Sequence, residues 1–100
     1  KYSSFSLNKV INDVVYNANV TLKYGQEIEY PRDLDEVTLY QDEKILDLVL
    51  SNLIGNAIKY SPENSTIHFG IENNDNMVIF EVSDEGMGIP EKDKKHICER

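Results

Sequence analysis

The feature that most constrains this chain lies between Asp42 and Pro62. There Ile45, Leu46, Val49, Leu50, Leu53, Ile54, Ala57 and Ile58 recur at spacings of one, three and four. That is the period of an α-helix with a buried face. Asp42 supplies an N-cap oxygen and Glu43 an acidic first turn. Pro62 ends the element, because the residue before a proline is pushed out of the helical region. After it come "STIHFGIEN" and "NMVIFEVSD", strand-like segments joined by the polar turn "NNDN". Before it, "FSLNKVINDVVYNANVTL" carries Leu7, Val10, Ile11, Val14 and Val15 on one helical stripe, with Ser6 or Asn8 as the start signal. Two short strand-like segments, "QEIEYP" and "EVTLYQ", flank the turn-prone "PRDLD". A further helix is predicted after Pro90, over "EKDKKHICER". Strands interleaved with helices in this order predict an α+β fold: a two-layer α/β sandwich with helices packed on one face of a mixed sheet.

At 100 residues the chain has room for one small domain. Its 40% hydrophobic and 28% charged content is that of a globular protein. No apolar run approaches the roughly 18 residues of a membrane helix, and "KYSSFSL" is too short and too polar for a signal peptide. A soluble, cytoplasmic piece is expected. Cys98 is the single cysteine, so no internal disulfide is possible, and no Cys/His cluster has metal-ligand spacing. With a formal net charge of −8 and no basic stripe, nucleic acid is disfavoured as a partner. A small anion stays open, since a magnesium ion can govern the local field.

Within the long helix stand Asn52, Asn56 and, one turn on, Lys59 and Tyr60. At about 100° per residue, Asn52, Asn56 and Lys59 share an arc of roughly 60°, with Ile45 and Val49 on the same side. Lys44, Asp47 and Ser51 lie elsewhere, which places the amides at the edge of the buried face. A buried amide without a partner costs about 1–3 kcal/mol, so partners are required. One possibility is neighbouring backbone. The other is a hydrated cation with an anionic ligand: amide oxygens suit magnesium, and the lysine ammonium suits phosphate.

The second cluster is "DEGMGIP", an Asp at a strand end followed by Gly86 and Gly88. Two glycines permit a sharp turn and close approach of backbone to a ligand. The Asp84 carboxylate is an acceptor only and suits the exocyclic amine of adenine. A plain β-turn is the alternative. Neither GxxxxGK[ST] nor GxGxxG is present, so the commoner nucleotide cradles are excluded.

Together, "DEKILDLVLSNLIGNAIKYSP" and "VSDEGMGIP" resemble the N box and G1 box of the ATP-binding domain of bacterial sensor histidine kinases, in the gyrase, Hsp90, histidine kinase and MutL superfamily. "FSLNKVINDVV" and "IPEKDKKHICER" also resemble that family's flanking segments, so the likeness spans residues 1–100. It implies a Bergerat-type sandwich with ATP and Mg2+ between the long helix and the glycine loop. By the same resemblance Asn56 is the magnesium ligand and Asn52 its supporting asparagine, at the place where ATP-hydrolysing relatives carry a glutamate. Lys59 is the phosphate-side lysine and Tyr60 the aromatic near the nucleotide. Asp84 reads adenine, Gly86 and Gly88 form the turn, and Ile89 lines the pocket. For Tyr60 and Ile89, simple core packing stays open.

The resemblance further implies a homodimeric parent kinase. In it the γ-phosphoryl of ATP passes to a histidine on a separate dimerisation domain, and a response regulator is served indirectly. Neither histidine here has that context: His68 is expected mid-strand and His96 exposed on the terminal helix. Residues 1–5 are expected to be a linker remnant, and residues 1–100 the N-terminal part of the domain. The family's lid and glycine-rich G2 box lie beyond "ICER", so this stretch alone is expected to bind ATP weakly or not at all and to be inactive. A serine-directed anti-sigma-factor kinase of the same superfamily is one alternative. A nucleotide-dead interaction module is the other.

Overall fold

The computed structural model describes residues 1–84 and 94–99. Strand β1 (Tyr2–Ser6) runs directly into helix α1 (Leu7–Asn19). The order continues with β2 (Glu27–Glu29), β3 (Thr38–Asp42), α2 (Glu43–Tyr60), β4 (Thr66–Asn73), β5 (Met77–Asp84) and β6 (Lys94–Glu99). The main sheet has the order β2-β4-β5-β6 and is mixed: β2 runs parallel to β4, and the remaining neighbours are antiparallel. Strands β1 and β3 form a separate antiparallel pair.

Both helices start on side-chain caps. Ser6 Oγ accepts from Lys9 N at 3.3 Å, and Asp42 Oδ1 accepts from Ile45 N at 3.2 Å. Helix α1 buries the stripe read from its sequence: Leu7, Val10, Ile11, Val14 and Val15. Helix α2 buries Leu46, Leu50, Ile54 and Ile58. From the sheet come Ile67 and Phe69 of β4 and Val78, Phe80 and Val82 of β5, at alternating positions as a half-covered sheet requires. The rings of Phe69 and Phe80 stack 6.4 Å apart in the middle of this layer. These residues form one core cluster between the helices and the sheet.

Two elements differ from the sequence reading. Strand β1 falls where no regular element is predicted; its Phe5 is buried, and Leu7 N donates to Val37 O at 2.9 Å. The terminal helix predicted after Pro90 is corrected to a strand over its described part, since residues 94–99 pair antiparallel with β5. The physical reason is the alternation of that segment: Cys98 is buried opposite Val78, while Ile97 points to the other face at 58% exposure. His96 is therefore not an exposed helical residue. It is half-buried, and its ring lies 6.3 Å from that of Phe80.

Candidate functional site

The residues expected to form the site stand on α2 and, for Asp84, at the end of β5. Along α2 the buried residues repeat strictly every four positions, so a single stripe meets the sheet. At about 100° per residue, Asn52 lies opposite that stripe, flanked by Asn56 and Lys59. All three are exposed, as is Tyr60 at 71%. This corrects the expectation that the amides border the buried face. Ile45, counted there as part of the covered side, is 58% exposed, and Leu48 is 59% exposed. Asp47 and Ser51, read as wet, are half-buried and bonded to each other, Ser51 Oγ donating to Asp47 Oδ1 at 3.2 Å.

The amides thus need no protein partner to offset burial, and among the described residues neither has one. What remains is a row of free polar groups: two carboxamides, then the Lys59 ammonium, whose Nζ sits 5.4 Å from the centre of the Tyr60 ring. Carboxamide oxygen is a suitable ligand for a hard cation that keeps most of its waters, and an exposed ammonium beside it suits phosphate. The donor set fits a magnesium–phosphate group held by Asn56 and Lys59.

Asp84 ends β5 and pairs with Ile67, the second residue of β4. Antiparallel partners share a face, and Ile67 is fully buried toward the helices. The Asp84 side chain therefore stands on the helix-bearing face of the sheet. Residues 61–65 alone connect the end of α2 to the start of β4. Asp84 and the last turn of α2, with Lys59 and Tyr60, in consequence lie toward one end of the molecule, while Asn52 and Asn56 stand on the face of α2 turned away from the sheet. Gly86, Gly88 and Ile89 lie outside the described residues.

Sequence reasoning missed the group that secures this end. Gln26 is 5% exposed, just before β2. Its Nε2 lies 3.2, 3.1 and 3.2 Å from the carbonyls of Ile58, Ser61 and Pro62, and 3.4 Å from Ser65 Oγ. Its Oε1 accepts from Lys23 N at 2.7 Å. Lys23 Nζ donates to Lys59 O at 2.8 Å and to Ser61 O at 2.7 Å. No motif or period in "KYGQEIEY" marks these two residues; only the tertiary fold brings them to α2.

A groove of about 420 Å³ beside β2 is lined by Asn19, Leu22, Gln26, Ile28, Tyr30 and Arg32 among others. Among the described residues no group of three His, Cys, Asp or Glu could hold a metal. No helix among them is long and apolar enough to cross a membrane. His68 sits mid-strand as expected, its Nδ1 3.0 Å from Glu29 Oε1.

Residues 41–100 match the family described as histidine kinase-, DNA gyrase B-, and HSP90-like ATPase. The chain belongs to this family. It is 39% identical over 79 residues to the sensor histidine kinase WalK of Bacillus subtilis, covering 75% of this chain and 13% of that protein. It is 33% identical over 92 residues to the heme sensor protein HssS of Staphylococcus haemolyticus, covering 92% of this chain and 20% of that protein. The chain thus spans a fifth or less of these relatives. Among solved structures it superposes on the catalytic domain of histidine kinase ThkA with a TM-score of 0.74 and 26% identity, covering 90% of this chain and 62% of that one. The mycobacterial sensor histidine kinase MprB gives a TM-score of 0.75 at 20% identity, covering 90% and 59%, and supports the fold alone. The α+β sandwich and the family read from the two boxes are both borne out.

Proposed function

We propose that this chain is the ATP-binding portion of a two-component sensor histidine kinase, positioning Mg-ATP for phosphoryl transfer to a histidine on a separate dimerisation domain. One observation carries this reading: the last turn of α2 and Asp84 share one end of the sandwich, on the helix-bearing side. Family membership supports it.

Asn56 holds magnesium through its carboxamide oxygen, with Asn52 one turn earlier in support. Magnesium, when bound, would supply positive charge that offsets the charge of the phosphates. Lys59 adds a second positive charge on the phosphate side. Tyr60 offers an exposed ring beside Lys59 for the nucleotide. Asp84 accepts a hydrogen bond from the adenine amine, which a guanine cannot supply at that place. Gly86, Gly88 and Ile89 complete the adenine side by resemblance. An amide at Asn52, where a carboxylate would act as a general base, leaves water unactivated and favours transfer over hydrolysis. Phosphoryl transfer asks mainly for position and charge, and these residues supply both. The structure of ThkA has been solved in complex with the response regulator protein TrrA, and by analogy a response regulator receives the phosphoryl group downstream of this chain.

The test is Asn56→Ala in the intact kinase that carries this chain. Loss of histidine phosphorylation with an unchanged circular dichroism spectrum is expected. Near-normal phosphorylation contradicts the assignment.

A further inference from the structure

We propose that Lys23 and Gln26 are positioning residues of this nucleotide site, acting through the backbone of the last turn of α2; the inference rests on the function proposed above. A helix ends with carbonyls that have no partner in the helix, and its C-terminus carries partial negative charge. Here those carbonyls are not left to solvent. The Lys23 ammonium bonds the carbonyls of Lys59 and Ser61. The two amide hydrogens of buried Gln26 are shared among Ile58 O, Ser61 O and Pro62 O, with Ser65 Oγ close by. The two clamping residues are themselves locked together: Gln26 N donates to Lys23 O at 3.0 Å, and Lys23 N donates to Gln26 Oε1 at 2.7 Å.

The clamp grips the backbone of the residues whose side chains face the ligand. Lys23 holds the carbonyl of Lys59 itself, and Gln26 holds that of Ile58, two residues after Asn56. The neighbouring turns interlock in the same place, Asn64 N donating to Tyr24 O at 3.0 Å and Glu27 N to Ser65 O at 3.1 Å. Lys23 therefore serves the site without touching ATP. Its own ammonium is committed to carbonyls, and the charge offered to phosphate comes from Lys59. Affinity for a ligand depends on how well the groups that contact it are held in place before it arrives. A clamp of this kind sets where Lys59 and Tyr60 stand and restricts their backbone to one conformation.

The experiment compares Lys23→Met, Lys23→Arg and Asp84→Asn in the intact kinase, reading KM for ATP, kcat and Tm. Lys23 is exposed, and methionine keeps its aliphatic stem, so the fold is expected to survive. Lys23→Gln replaces Lys23→Met if it does not, and is read in the same way. Loss of the clamp is expected to raise KM for ATP by about five- to tenfold with kcat changed less than about twofold, and Lys23→Arg is expected to restore KM. A lower Tm with unchanged KM, while Asp84→Asn raises KM, means that Lys23 is only a structural cap and overturns the inference alone. Unchanged KM in both Lys23→Met and Asp84→Asn overturns the nucleotide site and this inference with it.

Discussion

Gly25 and Asn64 meet at a point where only a glycine fits: a Cβ on Gly25 would lie 1.9 Å from Asn64 Oδ1 and 3.2 Å from Asn64 Cα. Both residues have positive φ, 73° and 63°. Gly25 tolerates this conformation because it has no side chain, and asparagine is among the few others that do. Gly25→Ala is expected to cost about 1–3 kcal/mol from the backbone conformation, with the contact adding to it. Asn64→Gly removes the side-chain contact, keeps the one with Cα, and leaves the φ of residue 25 as it is. Urea unfolding of both single variants and the double variant is expected to show positive coupling, with Gly25→Ala less harmful in the Asn64→Gly background.

The amides of α2 are exposed, and they are expected to contribute little to folding. Ile54 is fully buried, and Ile54→Ala is expected to cost about 2–5 kcal/mol in urea unfolding. Asn52→Ala, on the opposite face, is expected to stay within about 0.5 kcal/mol of the parent. A large loss at Asn52 would assign it to the core instead of to the ligand.

Ser61 is 1% exposed, and its Oγ has no hydrogen-bond partner among the described residues. Its carbonyl, by contrast, accepts from both Lys23 and Gln26. Removing only the hydroxyl leaves that clamp in place and relieves a buried group of an unmet bond. Ser61→Ala is expected to leave stability unchanged or raise it by up to about 1 kcal/mol. A clear loss in the urea midpoint would show that the hydroxyl is bonded.

Much of the fold is legible in the sequence because its elements are strongly periodic. The stripe of α1, the hairpin of β4 and β5, and the Asp42 cap follow from local pattern, which also offers Ser6 as one of two start signals for α1. The length of the helical stripe in α2 is equally plain. Which side of α2 meets the sheet is not, because Ile45, Leu48 and Val49 widen the apolar arc beyond what one sheet face covers. For that reason the amides, expected at the edge of the buried face, stand on the open one. The segment 94–99 is ambiguous by itself: "KKHICE" suits a helix or a strand, and pairing with β5 decides. The boxes holding Asn56 and Asp84 are readable as motifs. The clamp formed by Lys23 and Gln26 is not, since its contacts reach some 35 positions along the chain.

Burial in β6 and, secondarily, the neighbouring Glu99 carboxylate push the Cys98 thiol pKa up. A raised thiol pKa favours the folded state below the unfolded pKa, and this contribution is lost as pH rises through the folded value. Iodoacetamide at pH 8.5 is expected to label Cys98 at least about tenfold more slowly in the folded chain than in urea. Equal rates would contradict the placement of Cys98 against Val78.

The most direct test of a shared site for Asn56 and Asp84 is ATP affinity of the intact kinase, measured by calorimetry with and without Mg2+. Asp84→Asn is expected to weaken binding by at least about tenfold in both conditions, as loss of a charged acceptor does. Asn56→Ala is expected to weaken it only when Mg2+ is present. Unchanged ATP affinity in either variant, with the fold intact, would contradict a single nucleotide lying between α2 and the end of β5.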